Sequence, residues 1–236
     1  MKFGVIVFPG TWSDCDFHYV ISEVVHQPVR YVWHRDRNLD DLDCVILPGG
    51  FSYGDYLRAG AVAGRSPVVD VLPAFIARGG VVLGSCNDFQ ILCEAGLLPG
   101  ALMRNECLQY RCQSVHLSVD NAETVFTRGL GGRVLTMPIS HGEGKYYADA
   151  ATLAGLRERR QIVFRYVDAD GRATRAANPN GSLDNIAGVI SEDGHVLGLM
   201  PHPERAAEGV MGSTDGFALF QSLLGHLVEN GTFQPR

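Results

Sequence analysis

Three features that this chain lacks exclude large classes of protein. No apolar run approaches the roughly 20 residues that a membrane-spanning helix needs, and the apolar start at residues 1–8 is too short for a signal peptide. No run of Lys or Arg accompanies the formal net charge of −6, which argues against a nucleic-acid-binding protein. The six cysteines show neither CxxC spacing nor histidines at zinc-like intervals. We therefore expect no disulfide framework, no metal site and a reducing, cytoplasmic compartment.

The composition that remains is typical of a folded protein. The chain has 236 residues, of which 46% are hydrophobic, and this is enough to bury a substantial core. It contains no internal repeat, low-complexity tract or linker. We expect one domain over residues 1–236.

Short apolar runs that end in glycine turns predict a doubly wound, mostly parallel α/β fold. Residues 5–8, 44–47 and 81–83 are unbroken apolar runs, which is typical of strands covered on both faces. Helices are predicted between them at residues 16–26, 68–78 and 87–95, with Pro73 interrupting the second. Extra strands are predicted in the second half, at residues 112–119, 133–138, 162–167, 186–191 and 196–200, before a last helix at residues 213–229.

Cys86 lies between a predicted buried strand and a predicted helix. A nucleophile on such a sharp turn has an exposed side chain with backbone N–H groups nearby, and a helix N-terminus favours a thiolate. The alternative is an inert buried cysteine, because free cysteine is among the most buried residue types. The position of Cys86 at the end of a strand leaves these two interpretations close to equal.

A histidine and a carboxylate follow the last predicted strand. A thiol catalyst needs a base and a group that orients the base, and His202 and Glu204 supply both. Pro203 is expected to keep the segment extended, so that the two side chains project to the same side. A surface histidine beside prolines is the alternative, but together with the cysteine turn the pattern favours a Cys–His–Glu triad.

The pattern of these residues resembles that of the class I glutamine amidotransferases. The resemblance rests on Gly84, Cys86 and Gln90, on the strand end at residues 48–50, and on His202 with Glu204. More narrowly, the chain is similar to the glutaminase subunits of phosphoribosylformylglycinamidine synthases. That match rests on the blocks at residues 48–60, 92–102, 141–144, 178–182 and 213–216, which together span nearly the whole chain.

The resemblance implies a flavodoxin-like amidotransferase fold and a mechanism. Cys86 would attack the carboxamide of glutamine, His202 would shuttle protons, and Glu204 would orient the histidine. Backbone N–H groups of Gly50 or Phe51, together with Asn87, would hold the oxyanion. The residues expected to bind glutamine are Gln90, His141, Gly142 and Glu143.

The resemblance also implies partners. Ammonia would pass to a separate ATP-dependent synthetase subunit that makes formylglycinamidine ribonucleotide in purine biosynthesis, often with a small third subunit. ATP and Mg²⁺ are expected on the synthetase, and no cofactor or metal is expected on this chain.

Asp88 departs from the family pattern, which has glycine at this position. Its side chain is expected to crowd the turn, and an ionised carboxylate there would disfavour a thiolate at Cys86. Weakened or partner-dependent activity is one expectation, and a scaffold subunit with little activity is an alternative. Another cysteine-elbow hydrolase on the same fold is a second alternative, but it does not explain the glutaminase-like blocks.

Overall fold

The structure, a computed structural model, describes residues 1–229, with side chains to residue 225. Its strands are β1 (Phe3–Val7), β2 (Val29–Trp33), β3 (Cys44–Leu47), β4 (Val81–Ser85), β5 (Ala101–Met103), β6 (Arg111–Val119), β7 (Val134–His141), β8 (Lys145–Tyr147), β9 (Ile162–Val167), β10 (Ile186–Ile190) and β11 (Val196–Leu199). Nine of them form one sheet in the order β2-β1-β3-β4-β11-β10-β9-β6-β7. Strands β5 and β8 form a separate antiparallel pair.

The helices are α1 (Asp14–Tyr19), α2 (Pro67–Ala77), α3 (Asn87–Glu94), α4 (Ala150–Glu158) and α5 (Asp215–Glu229). A π-helical turn continues α1, and 3₁₀ turns occupy Ser52–Asp55, Ala63–Arg65, Leu183–Asn185, Pro203–Ala206 and Gly209–Met211. Within residues 1–229, no helix combines the length and the apolar character that crossing a bilayer demands.

The central strands are buried on both faces of the sheet. Along β3, Cys44 and Ile46 pack into one apolar core, whereas Val45 and Leu47 pack into the other. Successive side chains along a strand point to opposite faces of the sheet. Because the two sets pack into two different cores, both faces of the sheet are covered. The unbroken apolar pattern therefore correctly predicted these strands.

The predicted doubly wound α/β arrangement is confirmed. Strands β2, β1, β3, β4 and β11 are parallel neighbours, in the order found in flavodoxin-like sheets. The additional predicted strands extend this sheet, because β11, β10, β9, β6 and β7 pair in antiparallel fashion. The carboxyl ends of β1, β3, β4 and β11 meet at one edge, where a doubly wound sheet places its ligand site.

Some elements differ from the prediction. The helix predicted at residues 16–26 is α1 followed by the π-helical turn Val20–Val24, and α2 continues through Pro73. Strand β2 and helix α4 were missed because each buries only one side chain, Val32 and Leu156 respectively, and so carries little periodic signal.

The start of α5 packs against the turn that carries His202 and Glu204. Gly216 lies so close to this turn that a Cβ on it would overlap the Pro203 carbonyl group. Asp215, one residue earlier, accepts hydrogen bonds from the Thr136 N–H at 2.8 Å and from Arg133 at 2.8 Å. The N-terminus of α5 therefore fixes the position of the turn.

Substitution Gly216→Ala should lower the free energy of unfolding by about 1–3 kcal/mol, because the added methyl group has no room against Pro203. Gly225→Ala in the same helix is the matched control. Nothing lies within 4 Å of a Cβ at Gly225, so this change should raise stability by up to about 1 kcal/mol. Urea unfolding measures both. Equal effects of the two substitutions would contradict the packing argument.

Candidate active site

Cys86 occupies the strained turn between β4 and α3. Its backbone has φ 54° and ψ −109°, a conformation that non-glycine residues rarely adopt. The turn is held because the Cys86 N–H donates to Leu199 O at 2.8 Å, while Cys86 O accepts from Phe89 N–H at 3.1 Å. Cys86 as a whole residue is 5% exposed, and its Sγ lies 3.5 Å from Ser140 O. The strand–turn–helix geometry is that of the predicted nucleophile elbow, but the expectation of an exposed side chain is wrong, because Cys86 is buried.

His202 and Glu204 form a buried pair beyond the end of β11. His202 Nδ1 lies 2.6 Å from Glu204 Oε1, and the two side chains are 3% and 0% exposed. The expectation that Pro203 keeps the segment extended is wrong, because Pro203–Ala206 is a 3₁₀ turn. Proline is compatible with the first residue of a helical turn, where its missing N–H is not needed. The turn nevertheless brings the two side chains together, as the triad requires.

The His202 ring faces the nucleophile across Gly49. A Cβ on Gly49 would lie 2.8 Å from His202 Cε1 and 3.2 Å from Cys86 Cβ, so only glycine leaves room for the two side chains to meet. Burial alone would lower the pKa of His202, but the Glu204 carboxylate and then Cys86 raise it above its ordinary value. His202 Nε2 is buried without a hydrogen-bond partner among the described residues, and it is the ring nitrogen left for the sulfur.

Two of the three predicted oxyanion donors are available. The Phe51 N–H donates to Gly10 O at 2.9 Å and is therefore occupied in this structure. Asn87 is the first residue of α3, so its N–H has no carbonyl partner within the helix. The Asn87 side chain accepts the Ser52 N–H at 2.9 Å, which ties α3 to the segment after β3. Because the Phe51 N–H is occupied, Gly50 is the remaining candidate for the second donor.

The four residues predicted to bind glutamine line one cavity with the nucleophile. Gln90, His141, Gly142 and Glu143 surround a space of about 210 Å³ that also reaches Cys86. Gln90 Nε2 donates to Glu143 O at 2.6 Å, so the helix after the nucleophile holds the strand end opposite it. The structure thus brings together residues that lie more than 50 positions apart in the sequence.

His141 presents a neutral ring to this cavity. Asn105 donates its Nδ2 to Gln109 O and to His141 O, so its Oδ1 accepts from His141 Nδ1 at 3.1 Å. Burial, reinforced by the nearby His202, lowers the pKa of His141 to about 4. Its Nε2 therefore keeps a lone pair, and this atom is buried without a partner among the described residues. It is a hydrogen-bond acceptor for which residues 1–225 supply no donor.

Asp55 is a candidate site residue that the sequence interpretation missed. It lines the same cavity as Glu143 and accepts a hydrogen bond from Asn87 Nδ2 at 3.2 Å. Burial and then repulsion by Glu143 raise the pKa of Asp55 to about 6, partly offset by the Asn87 hydrogen bond. The only signal in the sequence was its place inside the block at residues 48–60, which says nothing about what its side chain faces.

Asp88 fits the turn differently from the sequence expectation. The close approach of α3 to β4 occurs at Gly84, where a Cβ would lie 3.2 Å from the Asp88 carbonyl group. The Asp88 side chain is fully buried, and neither carboxyl oxygen has a hydrogen-bond partner among the described residues. Burial and then Cys86 raise its pKa well above the ordinary value. Burial thus favours the neutral acid, which does not repel a thiolate.

Substitution Asp88→Ala should raise the free energy of unfolding by about 1–3 kcal/mol at neutral pH, because it removes a buried polar group without partners. The pKa of the Asp88 carboxyl is about 4 in the unfolded chain and is raised in the folded protein. As the pH rises from the unfolded pKa towards the folded one, the unfolded chain loses its proton first, so the free energy of unfolding falls. The gain should therefore be larger at about pH 8 than at about pH 5. Urea unfolding at both values tests this.

Asp88→Asn is the matched control for this pH dependence. It keeps the shape of the side chain but cannot ionise, so its stability should lack the loss that the wild type shows as the pH rises. A gain for Asp88→Ala of the same size at both pH values would mean that the carboxyl has an ordinary pKa.

Comparison with known proteins places this site in a family. Residues 1–218 match the model of the CobB/CobQ-like glutamine amidotransferase domain. Phosphoribosylformylglycinamidine synthase subunit PurQ of Moorella thermoacetica is 60% identical over 225 residues, which covers 95% of each chain. The PurQ subunit of Koribacter versatilis is 53% identical over 230 residues, covering 97% of this chain and all of that one.

Solved structures agree in fold. The structure of PurLQS from Thermotoga maritima superimposes with a TM-score of 0.84 at 42% identity, over 96% of this chain and 98% of that chain. A glutamine amidotransferase from the same organism, at 15% identity and a TM-score of 0.55, shares the fold alone. The chain therefore belongs to the CobB/CobQ-like glutamine amidotransferases and, within them, to the PurQ subunits of phosphoribosylformylglycinamidine synthase.

Proposed function

We propose that this chain is the glutaminase subunit of phosphoribosylformylglycinamidine synthase, with Cys86, His202 and Glu204 as its catalytic triad. It hydrolyses glutamine to glutamate and ammonia, and the ammonia is used to make formylglycinamidine ribonucleotide in purine biosynthesis. The observation that carries the proposal is the strained Cys86 turn facing a histidine whose other nitrogen is bound by a buried carboxylate.

The first half of the reaction forms a thioester. The Cys86 sulfur attacks the carboxamide carbon of glutamine, and the N–H groups of Gly50 and Asn87 stabilise the negative oxygen of the tetrahedral intermediate. His202 Nε2–H donates its proton to the departing amide nitrogen, so that the C–N bond breaks and ammonia leaves. Glu204 keeps the ring oriented throughout and stabilises its charged form.

The second half returns the enzyme to its starting state. Water attacks the thioester carbon while His202 Nε2 removes a proton from it. The C–S bond then breaks, glutamate leaves, and the sulfur is again paired with a protonated histidine. Each cycle consumes one water and releases one glutamate and one ammonia, with no other reactant.

The cavity of about 210 Å³ supports one orientation for glutamine. Its ammonium group is attracted by the carboxylates of Asp55 and Glu143, which repel each other in the empty cavity. The neutral His141 Nε2 accepts a hydrogen bond from a substrate N–H, which supplies the donor that this buried atom lacks. The side-chain carboxamide then extends towards Cys86.

The partners follow from the relatives. The PurLQS structure at 42% identity supports assembly of this chain with a synthetase subunit and a small third subunit. The family resemblance implies that ATP and Mg²⁺ are bound by the synthetase. We place the reaction in the cytoplasm, a compartment that suits six free cysteines. All residues of the chain are assigned to one amidotransferase domain.

The two alternatives have less support. A scaffold without activity was favoured only by a charged Asp88, and burial favours its neutral form. Another hydrolase on the same fold leaves the 60% identity to a PurQ subunit unexplained.

A diazoketone analogue of glutamine should alkylate Cys86 in the assembled complex, as mapped by mass spectrometry. Cys86→Ala should abolish labelling and lower glutaminase kcat by roughly 10³-fold or more, and Glu204→Gln should lower kcat by roughly 10²–10⁴-fold. Cys93→Ala is the matched control, because Cys93 packs against the same apolar core as Cys86 but lies seven positions beyond it. Labelling at another cysteine, or full activity in Cys86→Ala, would overturn the proposal.

The KM for glutamine should rise as the pH falls through about 6, because Asp55 takes up a proton there and loses its attraction for the substrate ammonium group. Asp55→Asn should raise KM by about tenfold or more near pH 8, roughly the value of one charged hydrogen bond, and should abolish the rise. Glu106→Gln, outside the smaller cavity, is the control and should stay within about twofold. A KM of wild-type size in Asp55→Asn would contradict this role.

A further inference from the structure

His34 follows the end of β2 and is fixed there by its own backbone. Its N–H donates to Val7 O, at the end of β1, at 3.0 Å, and its carbonyl oxygen accepts from the Val68 N–H at 3.0 Å. Because Val68 belongs to the first turn of α2, a strand and a helix hold His34 from two sides. The residue is only 4% exposed. Its side chain can therefore hold in place whatever group it binds.

The His34 ring binds the hydroxyl group of Tyr53. Tyr53 Oη lies 2.9 Å from His34 Nδ1, and the two rings meet edge to face with centroids 5.7 Å apart. Burial, followed by the nearby Arg35, lowers the pKa of His34, and Asp36 offsets part of this effect. The imidazole is therefore neutral near pH 7, and its Nδ1 can accept a hydrogen bond from the Tyr53 hydroxyl.

Tyr53 begins a left-handed turn that ends at Asp55. The φ values of Tyr53, Gly54 and Asp55 are 55°, 67° and 54°. Glycine adopts this conformation readily and aspartate tolerates it, but a bulky aromatic residue rarely does. Such a backbone persists only where the surrounding contacts enforce it. Two contacts do so at Tyr53, because its N–H donates to Pro9 O at 2.6 Å and its hydroxyl binds His34.

The turn presents Asp55 to the cavity proposed to bind glutamine. On the cavity side, Asn87 Nδ2 donates to the Asp55 carboxylate at 3.2 Å, and the Asn87 side chain also accepts the Ser52 N–H at 2.9 Å. On the far side, the hydrogen bond between Tyr53 and His34 holds the start of the turn. The Asp55 carboxylate is thus held at two points, one on each side of the turn.

We infer that His34 and Tyr53 are positioning residues for glutamine binding, because their hydrogen bond holds the turn that places the Asp55 carboxylate in the cavity. This inference rests on the proposed glutaminase function and on the proposed role of Asp55. Neither His34 nor Tyr53 lines the cavity, so both act on the substrate only through the turn. A small displacement of a binding group weakens its interaction with the substrate, and the triad does not depend on this turn.

The test measures glutamine hydrolysis by the full chain in complex with the synthetase and small subunits. Tyr53→Phe should raise the KM for glutamine by about three- to tenfold near pH 8 and leave kcat within about twofold, since it removes one neutral hydrogen bond. His34→Leu should have the same effect. His34→Asn retains an acceptor close to the position of Nδ1 and should restore KM to within twofold. Tyr56→Phe is the matched control, because Tyr56 lies in the same segment but is 77% exposed.

The Asp55→Asn background separates positioning from a general structural role. Tyr53→Phe should raise KM no further in this background, because the charge that the turn positions is already gone. An equal effect of Tyr53→Phe on KM with and without the Asp55 carboxylate would contradict the inference. A loss of kcat at unchanged KM would also contradict it.

The remaining outcomes separate this inference from the proposed function. If Asp55→Asn raises KM while Tyr53→Phe and His34→Leu leave it within twofold, the inference alone is overturned. Failure of both of these variants to fold or assemble would indicate a general structural role and overturn it too. A wild-type KM in Asp55→Asn would remove Asp55 from the site and this inference with it, and a wild-type complex that hydrolyses no glutamine would overturn the proposed function.

Discussion

The hydrogen bond between His202 Nδ1 and Glu204 Oε1 joins two side chains with almost no access to water. A buried carboxylate without a partner is costly, and so is a buried imidazolium, but each offsets the charge of the other. Because Glu204 raises the pKa of His202, the ring is held in the protonated form that can give a proton to a leaving amine. The proposed nucleophile, oxyanion donors and substrate cavity are all arranged around this pair.

The sheet provides that arrangement. Cys86 follows β4 and His202 follows β11, its parallel neighbour, so the two side chains leave adjacent strand ends at the same edge. Gly49, beyond the end of β3, lies between them and leaves room for both because it has no Cβ. The positive φ of Cys86 turns the chain abruptly into α3, which begins at Asn87. A few strained or side-chain-free positions thus turn an ordinary parallel sheet into a reaction site.

The sequence predicts most of the central sheet, because burial on both faces leaves a local pattern along each strand. Buried parallel strands produce unbroken apolar runs, and the glycine turns mark their ends, so the strand ends that carry the site were recognisable. Edge strand β2 and helix α4 were not, because each buries a single side chain. The shape of the Pro203 turn was mistaken, since proline permits a 3₁₀ start as well as an extended segment.

The candidate site residues also divide into those that a local sequence pattern predicts and those that only the tertiary structure brings to the site. Cys86, His202 and Glu204 follow strand ends and were predicted from local pattern, whereas Asp55 becomes a candidate only through a cavity shared with Glu143. The charge of Asp88 also depends on tertiary burial, which raises the pKa of its carboxyl well above the ordinary value and so favours the neutral acid over the expected negative charge. Charge at a position can be read from the sequence only when the exposure of the group is known.

The protonation state of His202 tests the account most directly. Nitrogen-15 NMR of histidine-labelled protein reports whether both ring nitrogens carry protons, and the His202 signal is assigned by its loss in His202→Asn. The account predicts that His202 remains an imidazolium at about pH 8, well above the ordinary histidine pKa of about 6.5, and becomes neutral there in Glu204→Gln. A His202 ring that is already neutral at about pH 7 in the wild type would contradict it.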